Sequence, residues 1–141
     1  MNYFLTDIEE ATSKNQDFRR VLFTADNSQL VVMSLKPGED IGAETHGLDQ
    51  FIRVEAGHGT ADLDGKRYPI HGGSAIVIPA GTRHNVVNES PDEPLRLYTL
   101  FSPPEHKDGT VHATKQEAQA DQNDQFDGRT TVLCQESPPA S

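Results

Sequence analysis

Short β-prone segments separated by turn residues run through most of this chain, and they constrain its fold more than any other feature. Glycine, proline, asparagine and aspartate separate the segments, and no helical period intervenes between them. Many short strands at such spacing predict a β-sandwich or a barrel. The predicted strands lie at residues 18–24, 30–35, 50–55, 60–63, 66–70, 75–78, 84–87 and 95–101.

The hydrophobic content favours a closed sheet within this class. Only 34% of the residues are hydrophobic, so the core has to be compact. A closed sheet buries one face of each strand and leaves no long unpaired edge. Asp64-Gly65 lies between two predicted strands and is a strong hairpin-turn signal. The sequence therefore predicts an all-β barrel whose strands are joined by tight turns.

The two ends of the chain differ from this middle part. Residues 7–15 predict a short helix, capped by Thr6 or Asp7 and carrying acidic residues in its first turn. Beyond residue 101, prolines end the last strand and the composition becomes polar, with a weak exposed helix at 113–121. We therefore predict a helix and pairing strand at 1–29, a barrel at 30–101, and a loop, weak helix and flexible polar tail at 102–141.

Charge and cysteine content limit the partners and the compartment. The formal net charge of −10 argues against nucleic acid or an anionic membrane as the main partner. The single cysteine, Cys134, cannot form an internal disulfide, which fits a reducing compartment. The first ten residues lack the basic-then-apolar order of a signal peptide. A cytoplasmic protein with a small-molecule ligand is the resulting expectation.

Four polar residues have a spacing that suits a metal. Glu44 and His46 are two residues apart and would share one face of an extended strand. Gln50 follows a small loop, and His84 follows the turn at residues 79–81. Carboxylate, imidazole and amide ligands suit Mn, Fe, Co, Ni or Zn. Taken alone, however, a Glu-x-His pair on a strand is more often a solvated face.

Two longer stretches resemble the paired motifs of the cupin superfamily. Residues 38–57 read GEDIGAETHGLDQFIRVEAG, similar to the first motif, in which a glycine, a His-x-His pair, a glutamate and a second glycine follow in order. Residues 73–88 read GSAIVIPAGTRHNVVN and match the second motif at each of its positions. The flanking sequences resemble a bacterial group of small single-domain cupins, of the cupin type-2 or mannose-6-phosphate-isomerase-like kind, with no settled reaction.

The resemblance implies a double-stranded β-helix, or jelly-roll barrel, with one divalent metal. Carried over by position, the metal ligands are Glu44, His46, Gln50 and His84. Glu44 replaces the first histidine and Gln50 replaces the glutamate, so the ligand set keeps one negative charge. The alternative is a barrel that has lost its metal and kept a polar pocket, with Gln50 bonding substrate or water.

Alternation along the strands predicts the lining of the barrel. Side chains two residues apart share a face, so an apolar cup would surround the metal. Its predicted members are Met33, Leu35, Ile52, Val54, Val86 and Tyr98, with Leu97 and Thr99 as the alternatives to Tyr98. His106 and His112 follow the last strand and could fold over an open mouth. We take His112 as the candidate general acid or base. The alternative is that these histidines lie in a solvated loop or at a subunit contact.

Three classes of function remain open on these observations. The first is a metal-dependent enzyme acting on a small oxygenated molecule by dioxygenase, isomerase or lyase chemistry, between which the fold does not choose. The second is a non-catalytic binding or sensing module. The third, a storage or scaffold protein, is disfavoured by the short chain. A homodimer is expected, because the N-terminal strands would otherwise leave open edges.

Overall fold

The computed structural model describes residues 2–133. Its two helices and nine strands follow the order expected from the turn spacing. They are α1 (Ile8–Lys14), β1 (Arg19–Thr24), β2 (Gln29–Leu35), β3 (Asp49–Ala56), β4 (His58–Leu63), β5 (Lys66–His71), β6 (Ala75–Ile78), β7 (His84–Asn88), β8 (Leu95–Ser102), β9 (Val111–His112) and α2 (Lys115–Ala120). All eight predicted strands and both predicted helices are confirmed.

The strands form two antiparallel sheets that share one hydrophobic core. The larger has the order β6-β3-β8-β2-β1-β9, and the smaller has the order β5-β4-β7. Buried side chains from both sheets make a single cluster, including Leu35, Ile52 and Leu97 from the larger and Ala61 and Val86 from the smaller. The predicted all-β jelly-roll with a short N-terminal helix is therefore confirmed.

Local chemistry explains the turns that hold this arrangement. Asp64 and Gly65 both have positive φ, 53° and 82°, as a two-residue hairpin turn requires, and they join β4 to β5. The Asp7 side chain accepts a hydrogen bond from the Glu10 backbone N–H at 3.1 Å and so caps α1. These short-range signals act independently of the core, which is why the sequence alone reveals them.

Five of the six side chains predicted to line the barrel are buried in the core. Met33, Leu35, Ile52, Val54 and Val86 are each at most 2% exposed. Tyr98 requires a correction. Burial alternates along β8, with Leu97 and Thr99 fully buried, so Tyr98 lies on the outer face, where its ring is 6.3 Å from that of Phe51.

The C-terminal segment packs against the barrel as far as residue 133. β9 pairs with β1 and so covers part of the open edge from which a homodimer was expected. The homodimer stays a prediction. Phe126 donates its backbone N–H to Glu105 at 3.0 Å, and Thr131 donates to Thr24 at 2.9 Å. Cys134 and the rest of the predicted flexible tail lie outside the described residues. Across residues 2–133, no helix is long and apolar enough to span a membrane.

Candidate metal centre

Backbone pairing brings three of the four predicted ligands together from distant parts of the chain. The segment after β2 runs antiparallel to β7, and Glu44 and His84 exchange two backbone hydrogen bonds of 2.9 Å. Gly81 donates its N–H to the carbonyl of His46 at 2.8 Å, which closes the turn before β7. One ligand atom from each of Glu44, His46 and His84 lies within 4.8 Å of the other two.

The His84 ring is held in one tautomer. Its Nδ1 lies 2.9 Å from the carbonyl oxygen of Thr82. Because a carbonyl oxygen can only accept, Nδ1 carries the hydrogen and Nε2 keeps its lone pair. Metal-binding histidines are oriented in this way by an acceptor on the opposite ring nitrogen. His84 is 6% exposed, so its Nε2 is presented as a buried nitrogen ligand.

His46 is held between two carboxylates. Its Nδ1 lies 2.6 Å from Oε2 of Glu105, and its Nε2 lies 2.6 Å from Oε2 of Glu44. The contact to Glu44 does not follow the N–H direction, so Nε2 is buried without a well-directed hydrogen bond. Glu105 thus holds the ring while Nε2 and the Glu44 carboxylate converge, as two ligands of one cation would.

The pKa values reflect this crowding of charge. Burial alone would lower the pKa of His46, but its contacts with Glu105 and Glu44 outweigh burial and raise the pKa to about 9. Burial likewise opposes ionisation of Glu44, whose pKa is nevertheless lowered by His46, Arg19 and His84. At neutral pH the His46 ring therefore carries a proton on both nitrogens, and a metal has to displace the one on Nε2.

Gln50 satisfies a further condition for a ligand. It is 6% exposed and donates from Nε2 to Oγ1 of Thr99 at 3.1 Å, which leaves its Oε1 buried without a partner. A buried acceptor without a partner is costly, and a metal would remove the cost. Gln50 also pairs with Phe101, whose ring is edge-on to His46 at 5.9 Å. Two imidazoles, a carboxylate and an amide fit a borderline divalent ion.

Glu105 is a functional residue that the sequence analysis missed. It lies in the loop after β8, and the buried side chain of Gln29 fixes that loop. Oε1 of Gln29 accepts the backbone N–H of Glu105 at 3.2 Å and of His106 at 2.9 Å. These two hydrogen bonds fix the backbone of the loop from which Glu105 contacts His46. The contact joins residues far apart in sequence, so strand periodicity does not predict it.

Replacing Glu105 by alanine is expected to weaken metal affinity about 10- to 100-fold, as for other residues that orient a ligand histidine. Glu105→Gln keeps an acceptor for Nδ1 and should lose less. The measurement is competition with a chromophoric chelator. Glu89→Gln, at an exposed position, makes the same charge change as Glu105→Gln away from the site and should leave affinity unchanged. Unaltered affinity in Glu105→Ala would show that the contact with His46 is incidental.

A cavity of about 300 Å³ opens beside the candidate ligands. Glu44 is the candidate ligand in its wall, and the other lining residues come from the start of β1, the segment after β2, the loop after β8, α2 and the segment after α2. Its other lining residues are Phe18, Arg19, Ile41, Glu105, His106, Lys115, Ala118, Gln119, Asp124 and Gln125. The wall is therefore more polar than the apolar cup predicted, whose members fill the core instead.

The two histidines predicted at the mouth are placed differently. His106 lines the cavity, with Nδ1 3.3 Å from Asp124 and its ring edge-on to Phe101. Burial lowers the pKa of His106, against the opposing effect of Asp124. His112 lies in β9, is 4% exposed and is not among the residues lining this cavity. Its catalytic role stays a prediction.

A family model and two relatives match this chain. Residues 31–101 match the family model of the cupin domain (Cupin_2). The uncharacterized protein YrkC of Bacillus subtilis is 44% identical over 124 residues, covering 83% of this chain and 66% of YrkC. The chain thus spans just under two thirds of that relative. The uncharacterized protein L612 of Acanthamoeba polyphaga mimivirus is also 44% identical, over 77% of this chain and 70% of L612.

Solved structures show the same fold. BH2720 from Bacillus halodurans superposes with a TM-score of 0.82 at 44% identity, covering 85% of this chain and 96% of that one. KdgF from Halomonas sp. superposes with a TM-score of 0.57 at 26% identity, covering 62% and 78%. The family match, the sequence relatives and the shared architecture lead to one conclusion: this chain belongs to the cupin family.

Proposed function

We propose that the protein is a metal-dependent enzyme that acts on a small oxygenated molecule by dioxygenase, isomerase or lyase chemistry. One divalent transition metal would be held by Glu44, His46, Gln50 and His84. The observation that carries this proposal is the orientation of the two histidines. Each has its Nδ1 turned to an acceptor, while the ligand atoms of both rings and of Glu44 converge within 4.8 Å.

The bound metal would supply Lewis acidity and open coordination positions for an oxygenated substrate. The chain's own residues do the rest. Glu105 accepts the Nδ1 hydrogen of His46 and so directs Nε2 inwards. Phe101 packs edge-on between His46 and His106, with ring centroids 5.9 and 5.3 Å away, and limits water on that side. The cavity of about 300 Å³ has room for a small molecule only.

The proposal is tested by reconstitution. Metal-free protein is loaded separately with Mn, Fe, Co, Ni and Zn, and uptake per chain is measured by elemental analysis. Loaded protein is then screened against small hydroxy, keto and sugar acids, with O2 consumption and product formation followed together. We expect about one metal per chain and turnover that is lost in His46→Ala but kept in His58→Ala, an exposed histidine of β4.

Two outcomes would contradict the proposal in different ways. Uptake of one metal with ligand binding but without turnover would favour the non-catalytic binding or sensing module. Failure to take up any of the five metals would remove both the ligand assignment and the enzyme.

A further inference from the structure

Arg19 is a buried cation in the wall of the cavity that Glu44, one of the candidate metal ligands, also lines. It is the first residue of β1, is 8% exposed and lines this cavity together with Glu44 and Glu105. The neighbouring Val21 is a core residue on the same face of the strand, so alternation directs Arg19 inwards. A buried arginine at an inward position of a barrel strand needs hydrogen-bond acceptors or a counter-ion to offset the loss of hydration.

Within residues 2–133, the Arg19 guanidinium makes no ion pair shorter than 4.0 Å, and the carboxylates of Glu44, Asp124 and Glu105 act on it only from longer range. Its Nη1 donates a hydrogen bond of 3.4 Å to His112, its Nε is buried without a partner, and its Cζ lies 5.3 Å from the Phe18 ring centroid. A buried guanidinium without a direct counter-ion is costly. The guanidinium therefore has no direct counter-ion and an unused hydrogen-bond donor among the described residues.

His112 and Asp121 orient the guanidinium. Nε2 of His112 donates to Oδ2 of Asp121 at 2.9 Å, which fixes the tautomer and leaves Nδ1 to accept from Arg19. His112, Asp121 and Asp124 could by their spacing also hold a cation. The guanidinium beside Nδ1 opposes that, so we assign His112 as a positioning residue for Arg19.

Arg19 would recognise an anion with a single charge better than a multiply charged one, because Glu44, Glu105 and Asp124 also lie in the cavity wall and would repel additional negative charge. Lys115, the other cation in the wall, is already paired with Asp40. One guanidinium matches one carboxylate, by two parallel hydrogen bonds, better than it matches a doubly charged phosphate.

We propose that Arg19 is the substrate-carboxylate subsite of this cavity, so that the substrate is a small oxygenated carboxylic acid. The acid group would pair with Arg19 and its other oxygen would approach the metal. This inference rests on the proposed function, because it names the substrate class of the same site. It is distinct from the metal ligands, since Arg19 lies on β1 outside both cupin motifs.

The test uses glycolate and its neutral analogue glycolamide, which differ in the carboxylate alone. Both are titrated by calorimetry into zinc-loaded and metal-free protein, and the Arg19 Nε–H signal is followed by proton–nitrogen NMR. Its absence from the Arg19→Met spectrum assigns it. We expect glycolate to bind zinc-loaded protein at least ~10-fold tighter than glycolamide and to shift this signal, as a hydrogen bond to a charged group implies.

The variants separate Arg19 from its surroundings. Arg19→Met is expected to lose ~10- to 100-fold in glycolate affinity, Arg19→Lys less, and Arg20→Met, which removes the exposed cation next to it on β1, almost none. For the positioning role, His112→Phe should weaken glycolate binding, whereas His112→Gln, which retains an acceptor, should restore most of it. Circular dichroism confirms the fold of each variant.

Equal glycolate affinity in wild type and Arg19→Met would overturn the proposal, because the metal alone would then hold the acid. So would an Nε–H signal that none of glycolate, lactate and malonate shifts. Zinc uptake is measured separately for each variant. If wild type takes up no metal, the proposed function fails, while the metal-free titrations still decide whether Arg19 binds the acid.

Discussion

Replacing His84 by alanine is expected to abolish the thermal stabilisation that metal gives to this protein. A ligand that binds only the folded state at 100 times its Kd adds about 2.7 kcal/mol. For a chain of this size that corresponds to a rise in Tm of roughly 5–10 °C. His84 provides the donor whose Nδ1 is fixed on Thr82, so its loss removes an oriented ligand at the start of β7. The measurement is Tm with and without added metal after chelator treatment.

His58→Ala is the matched control, since His58 is exposed on β4 and distant in sequence from both motif histidines. It should keep the full metal-dependent rise in Tm. A rise in His84→Ala equal to that of wild type would show that the metal binds elsewhere, and the cluster of His112, Asp121 and Asp124 would be examined next.

Gly59→Ala is expected to destabilise the fold by about 3 kcal/mol or more, in the upper range for overpacking. Gly59 pairs with Asn88 across β4 and β7, and a Cβ at this position would overlap the carbonyl oxygen of Val87. The obstacle is backbone, so no side chain can move aside and the strands must separate. Because β7 also presents His84, metal binding should weaken with stability. Urea unfolding of the metal-free protein measures the first effect.

Gly47→Ala is the control for this substitution. Gly47 has ordinary φ and open space where a Cβ would lie, so the same change should alter stability by less than ~1 kcal/mol. If Gly59→Ala unfolds at the same urea concentration as Gly47→Ala, then β4 and β7 are farther apart than described.

The sequence predicted the fold well where local signals act alone. The Asp64-Gly65 turn, the Asp7 cap and the strand spacing each depend on a few neighbouring residues, and all three are present. The error at Tyr98 has a different origin. Around residue 98 the two faces of β8 are similar in polarity, with Tyr98 and Leu100 outside and Leu97 and Thr99 inside, so the local composition does not reveal which set faces inwards. Pairing with β2 and β3 decides it.

The candidate site was predicted where it lies in the two motifs, and missed where the chain returns to it. Glu44, His46 and His84 meet because two motif segments pair through their backbones. Glu105 reaches His46 through a loop held by Gln29, a contact between residues far apart in sequence. Arg19 could have been found from the sequence. It lies two residues before Val21 on β1, so this charged side chain shares a strand face with an apolar, buried one.

The most direct test of the account is anomalous diffraction from crystals of protein loaded with one equivalent of zinc. We predict one strong peak per chain, about 2.0–2.2 Å from Nε2 of His46, Nε2 of His84 and an Oε of Glu44, with Oε1 of Gln50 completing the set. A peak at His112, Asp121 and Asp124 in its place, or no peak after verified loading, would contradict the central claim.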